Sequence, residues 1–286
     1  MPRLNSHSEH SSKSHLILGG PIYRPINENR NRCTAFLSSV RLSACYNPCH
    51  AEKESGVHLG KLDDGALGGQ ARLLPQGFCM RIGILATGRM ARGLARGYAK
   101  SGHDVTLASR NPQRAKDAAA SIAGTIRSGT HEDAVRESET VVLAVPFGNA
   151  VNTVRPLADL LAGKIVIDIT NPFGAVPPGQ IAGIEHNAKS ASDARWVAAY
   201  KTNFWKTLDQ PVSANGHKRD VLVCATDERA KRTVMELIEQ TGFRAVDCGR
   251  LENARTVDLM VPLMIELDGR YGRDSLSSWR FLDDES

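Results

Sequence analysis

Ser109, Arg110 and Arg114 put one hydroxyl and two guanidinium groups within six residues. That combination can hold a phosphate through charge-assisted hydrogen bonds. Upstream, Ala86-Thr87-Gly88-Arg89-Met90-Ala91 has the spacing G-x-G-x-x-G with alanine at the outer two positions. A turn of this kind that opens a helix aims unpaired N–H groups and a positive dipole end at one spot, which suits a pyrophosphate. Gly88 lets the backbone approach such a ligand, and Ala91 is small enough for the helix to pack closely on a sheet. From Met80 onward no Ser-His-Asp, Cys-His or paired-carboxylate arrangement is found. His103, His131, His186 and His217 sit in polar or turn-like settings and read as surface histidines, and Cys248 reads as a small buried filler. No catalytic side chain and no metal ligand is assigned.

These groups meet only if a strand, a tight turn, a helix and a second strand bring them together. The apolar run Arg81 to Leu85 is one buried strand. Met90, Ala91, Leu94, Ala95 and Tyr98 follow at helical spacing, Gly102 is a left-handed stop, and Val105 to Ala108 is the next strand. That strand ends in Ser109-Arg110, where an NAD ribose would require an acidic residue, so the pattern reads as NADP(H) over NAD(H). Asn111-Pro112 caps a helix running to about Ile122, and Thr130 with Asp133 forms a capping box for a short helix ending near Glu137. Thr140 to Pro146 is an almost continuous apolar run, as a central parallel strand requires. It delivers Pro146-Phe147 to the carboxyl edge of the sheet, where Phe147 is either a nicotinamide contact or a core phenylalanine. A helix from Asn149 to Leu161, interrupted at Pro156, leads to a strand from Lys164 to Thr170 that ends in Asn171-Pro172-Phe173-Gly174 at the same edge.

Residues 175–193 read as a loop. Trp196 to Tyr200 reads as a strand that Lys201-Thr202-Asn203-Phe204-Trp205 continues with chemistry suited to a flat, polar-edged substrate. Val221 to Ala225, Glu228 to Gln240 and Phe243 to Val246 supply strand, helix and strand. The last helix, Glu252 to Leu267, carries Val257, Met260, Val261, Met264 and Leu267 at helical spacing and is apolar on most sides. It must be buried, within its own domain or against a second subunit as a homodimer. The expected fold is α/β, a Rossmann-type doubly wound, mostly parallel sheet. The division is 1–79 as a disordered extension, 80–195 as the NADP-binding domain and 196–286 as a small C-terminal lobe.

Composition excludes several classes. The net charge of +5 is spread on both sides of Met80, and no basic patch alternates with aromatics, so no nucleic-acid partner is implied. There is no run of about twenty apolar residues, hence no membrane span, and no apolar core of a secretory signal. With Cys224 and Cys248 alone in the globular part, a reducing cytoplasm is the default. The first 79 residues hold four of the six cysteines and five of the nine histidines without helical or strand periodicity. Cys45, Cys49 and His50 lack a second ligand pair. Two readings of this segment stand: an upstream extension before a natural start at Met80, or an organelle transit peptide rich in Ser and Arg.

In Met80-Arg81-Ile82-Gly83-Ile84-Leu85, Thr87-Gly88-Arg89-Met90, Ala108-Ser109-Arg110-Asn111, Ala144-Val145-Pro146-Phe147, Thr170-Asn171-Pro172 and Asp247 to Arg255, the chain resembles the NADP-dependent oxidoreductases that use coenzyme F420. That group shares its dinucleotide-binding domain with pyrroline-5-carboxylate reductases. The resemblance runs from Met80 to about Leu282. It implies that Thr87, Gly88, Arg89 and Met90 hold the pyrophosphate, that Ser109, Arg110 and Arg114 hold the 2′-phosphate, and that Pro146, Phe147 and Asn171 lie by the nicotinamide. It also implies coenzyme F420 as co-substrate in hydride transfer. The alternatives are reduction of another acceptor (an imine, a flavin or a metal chelate), or an NADP(H)-binding sensor without turnover.

Overall fold

The computed structural model describes residues 79–282. The disorder expected ahead of Met80, and Cys45, Cys49 and His50, lie outside the described residues. Strands form where apolar side chains can bury on both sides of the backbone. In β1 (Arg81–Leu85), Ile82 and Ile84 enter one core while Leu85 enters the other. Gly83 faces α3 (His131–Arg136), and a Cβ there would lie 2.6 Å from the carbonyl oxygen of Ala134, so glycine is what allows helix and strand to meet so closely.

The remaining strands are β2 (Asp104–Ala108), β3 (Ile126–Gly129), β4 (Thr140–Leu143), β5 (Ile165–Asp168), β6 (Arg195–Ala198), β7 (Asp220–Ala225) and β8 (Arg244–Asp247). They form one eight-stranded sheet in the order β3-β2-β1-β4-β5-β6-β7-β8. The first six are parallel. β7 runs antiparallel to β6, and β8 parallels β7. One face is covered by α1 (Arg89–Lys100), α2 (Pro112–Ala120) and α7 (Glu228–Gln240), through residues such as Leu94, Tyr98, Ala118, Val234 and Leu237. The other is covered by α3, α4 (Phe147–Val154), α5 (Ala158–Leu161), α6 (Gly183–Ala188) and the start of α8 (Ala254–Arg270), through Ala134, Val154, Leu161, Ile184 and Val257. This is the doubly wound α/β sheet expected from the sequence. The chain leaves β1 for β2 and β3 on one side and returns for β4 on the other, which opens a crevice at the carboxyl ends between β1 and β4.

Several local expectations change. β3 was not anticipated, and α6 lies inside the stretch read as a loop. The strand expected to run into Trp205 stops at Ala198. Tyr200 adopts φ +56°, and the chain turns into a short 3-10 helix at Trp205–Asp209. α2 ends at Ala120 rather than Ile122, and Pro156 sits in a 3-10 turn between α4 and α5. α8 follows a 3-10 turn at Leu251–Asn253 and extends to Arg270. His103 is not a surface residue: it is buried, and its Nδ1 accepts from the Met80 N–H at 3.3 Å. The sheet runs unbroken through the residue 195/196 boundary, which falls inside β6.

Candidate functional site

The carboxyl ends of β1 to β6 surround a cleft of about 950 Å³. All ten residues singled out from the sequence line it: Thr87, Gly88, Arg89, Met90, Ser109, Arg110, Arg114, Pro146, Phe147 and Asn171. At one end, Gly88 is the N-cap of α1, with no side-chain cap and no acidic residue in the first turn, so the helix start offers its N–H groups unopposed. Gly88 has φ −74°, and a Cβ there would meet nothing within 4 Å. Its backbone does not need glycine; only something occupying the cleft would.

β2 is followed at once by Ser109, whose Oγ accepts from the Asn111 N–H at 3.2 Å. The Asn111 carbonyl oxygen Oδ1 then accepts from the N–H groups of Gln113 and Arg114, at 3.0 and 3.3 Å, which starts α2 and puts Arg114 in its first turn. Arg110 and Arg114 are exposed, and among the described residues neither forms an ion pair. The sequence reading missed His131, which lines the same end of the cleft. Burial and the charge of Arg110 hold its imidazole below the ordinary histidine value. The Thr130–Asp133 capping box, which was recognised, already placed His131 at a helix start; the missing signal was the strand before it.

In the middle, Pro146 is the N-cap of α4. Phe147 is half-buried rather than a core residue: it lines the cleft and also packs on α6. Its ring tilts against His186 at 5.7 Å, and a Cβ on Gly183 would lie 3.0 Å from it. Asn171 donates from Nδ2 to the carbonyl of Lys201 at 3.0 Å, while its Oδ1 is buried without a partner.

The far end is denser. Lys201 pairs with Asp258 at 2.9 Å, with side chains only 1% and 7% exposed, and also donates to the carbonyl of Thr170. Asp258 accepts the Gly183 N–H at 2.7 Å. Arg255 binds Glu185 at 2.6 Å and holds that carboxyl below the usual carboxylate range, tying α8 to α6. The Arg89 guanidinium lies 4.8 Å from the centre of the Trp205 ring, and Phe204, Val261, Met264 and Ile265 complete the wall. Arg89 and the run Lys201 to Trp205 were singled out from sequence, but their pairing with α6 and α8 was not, because Gly183, Glu185, Arg255 and Asp258 come from segments far apart in the chain. No general acid or nucleophile stands out. Burial pushes the Tyr200 hydroxyl up to about 12, and its closeness to Cys248 together with burial raises the Cys224 thiol. What the cleft can do is hold a long anionic ligand and press a flat one beside it.

Residues 81–172 match the family described as NADP oxidoreductase, coenzyme F420-dependent. The F420-dependent NADP reductase of Methanocaldococcus jannaschii is 31% identical over 217 residues, covering 67% of this chain and 94% of that protein. The rat metalloreductase STEAP3 is 33% identical over 187 residues; the match covers 65% of this chain but only 37% of that much longer protein. Among solved structures, one from Arthrobacter sp. FB24, assigned as an F420-dependent NADP reductase, superposes with a TM-score of 0.62 at 26% identity. It covers 68% of this chain and 95% of that one.

Proposed function

The chain belongs to the family of coenzyme F420-dependent NADP oxidoreductases, and from that premise we propose that it moves a hydride between NADP(H) and the deazaflavin F420. In this reading Thr87, Gly88, Arg89 and Met90 hold the pyrophosphate. Ser109, Arg110 and Arg114 hold the 2′-phosphate, and Pro146, Phe147 and Asn171 border the nicotinamide. Residues 80–195 serve the dinucleotide and residues 196–286 the acceptor. The observation that carries the reading is the pair of unpaired arginines opening onto the same cleft as an uncapped helix start. The partnerless Asn171 Oδ1 supports it as an acceptor for an amide N–H.

The bound coenzymes supply the redox chemistry, a hydride leaving one ring for the other. The residues of this chain orient the two rings and keep water out. Phe147, Phe204 and Trp205 give flat apolar walls, and the buried Lys201–Asp258 pair fixes the backbone carbonyl on which Asn171 rests. Two measurements test this. Deazaflavin-dependent oxidation of NADPH, followed by absorbance, is expected; its absence in protein that binds NADPH would remove F420 as the acceptor. Arg110→Glu is expected to weaken NADPH binding by well over tenfold, about 1.4 kcal/mol or more, with NADH binding unchanged. Equal NADPH affinity would remove the 2′-phosphate assignment.

A second reading, reduction of a chelated metal or a flavin, is favoured by the 33% identity to the metalloreductase over the same domain. An acceptor screen with the NADPH-bound protein separates the two. No helix among the described residues is long and apolar enough to cross a membrane. A cytoplasmic location is part of this reading; Cys224 and Cys248, neighbours in the fold, are free thiols. Homodimerisation through α8 completes the proposal: Leu259 and Leu263, one turn apart, are 50% and 51% exposed on that helix.

A further inference from the structure

His131 lines the cleft beside Ser109, Arg110 and Arg114, and no role given above uses it. Its position is built into the fold. The Ser109 N–H donates to the Gly129 carbonyl at 3.3 Å, which ties the end of β2 to the end of β3. Thr130 and Asp133 then cap each other reciprocally, at 3.1 and 3.0 Å, and make His131 the first residue of α3. The imidazole is half-buried and close enough to Arg110 to feel its charge.

We propose that His131 is a fourth member of the 2′-phosphate subsite, beside Ser109, Arg110 and Arg114, a proton-switched donor that sets how strongly NADPH is preferred over NADH; this rests on the 2′-phosphate reading above. In the free protein, burial and then the charge of Arg110 disfavour the protonated imidazole. A phosphate dianion lodged against Arg110 reverses that balance, so binding draws a proton from solvent onto His131. The donor is present at low pH and is lost as pH rises through the value in the complex. NADH, without the phosphate, has no such dependence.

The charged neighbours leave His131 this role. Arg110 and Arg114 line the same end of the cleft. On its own helix Glu132 is bound to Arg136, and Asp133 to Thr130. Of the strands and helices packed on α3, β1 brings Arg81, engaged by Glu139. β2 and β3 bring Asp104 and Arg127, engaged with each other and with Glu137, and α5 brings Asp159. None of these lines the cleft.

The test is calorimetric titration of the intact protein with NADPH and with NADH, in buffers of different ionisation heat, at about pH 6 and about pH 8.5, on either side of the ordinary histidine range. Wild type is expected to take up protons with NADPH and to lose about tenfold of its NADPH preference across that range. His131→Gln should show about a tenfold lower preference at the acid end and no further fall. His131→Lys should keep the preference at both values. The 2′-phosphate's own titration enters wild type and variants alike, so the difference between them is the readout. A His131→Gln profile that matches wild type overturns the proposal, and so does a variant that loses NADH binding equally, because the histidine would then be structural. An Arg110→Glu protein that retains NADPH preference would instead overturn the underlying phosphate site.

Discussion

The two ends of the cleft are built on opposite plans. At the β2–β3 end, Arg110 and Arg114 stand exposed without carboxylate partners, and the start of α1 is uncapped. At the β6–α8 end, Lys201 is buried and already neutralised by Asp258, and Arg255 by Glu185. An unbalanced site gains free energy when an anion arrives. A balanced, buried one gains little from charge and supplies shape instead. The first end is therefore suited to an anion, and the second to a ligand matched by shape.

That contrast can be broken at either end. The largest effect belongs to Lys201→Met, which strands a buried carboxylate. Denaturant unfolding should show a loss of about 3–5 kcal/mol, mostly recovered when Asp258→Leu is added. A loss below about 1 kcal/mol would mean that the far end is not held by its charges. Gly83→Ala pushes a Cβ to 2.6 Å from the Ala134 carbonyl and should cost roughly 1–3 kcal/mol in the same assay, showing that the open end rests on a tight floor. Gly88→Ala separates folding from binding. Stability should stay within about 0.5 kcal/mol, because the new methyl meets nothing. NADPH affinity should fall about tenfold, because the methyl occupies the approach to the helix start. An unchanged affinity would place the pyrophosphate elsewhere. Asn111→Ala, the smallest change, removes the cap of α2 for about 1 kcal/mol; a titration should show only a modest weakening of NADPH as Arg114 loses its fixed turn.

The open end was legible in the sequence because its parts are local. One strand, one turn and one helix carry Thr87 to Met90. The next strand carries Ser109 and Arg110, and Asn111-Pro112 announces the helix that holds Arg114. Even the Thr130–Asp133 box was readable, because both halves lie within four residues. β3 escaped because Ile126-Arg127-Ser128-Gly129 has one strand-forming residue and is only partly buried, so no alternation marks it. Without β3, His131 looked like surface. α6 escaped because it is six residues long, and its cap is Glu185 reaching back to the Ala182 N–H. The closed end was only partly legible for a different reason: the run Lys201 to Trp205 stood out by its chemistry, but Lys201, Asp258, Gly183 and Arg255 meet only through the tertiary fold, and no local pattern announces their pairing.

The sheet's two outermost strands carry a consequence for self-association. β3 and β8 are four residues each, and each contains an arginine, Arg127 or Arg244, already committed to Asp104 or Asp220. Short margins of this kind, studded with charge, are poor templates for adding a foreign strand, which protects the protein against sheet-to-sheet aggregation. Copies of this chain then have no easy route to join by extending their sheets, and the homodimer proposed above would rest on Leu259 and Leu263, one turn apart on α8, and not on a sheet edge.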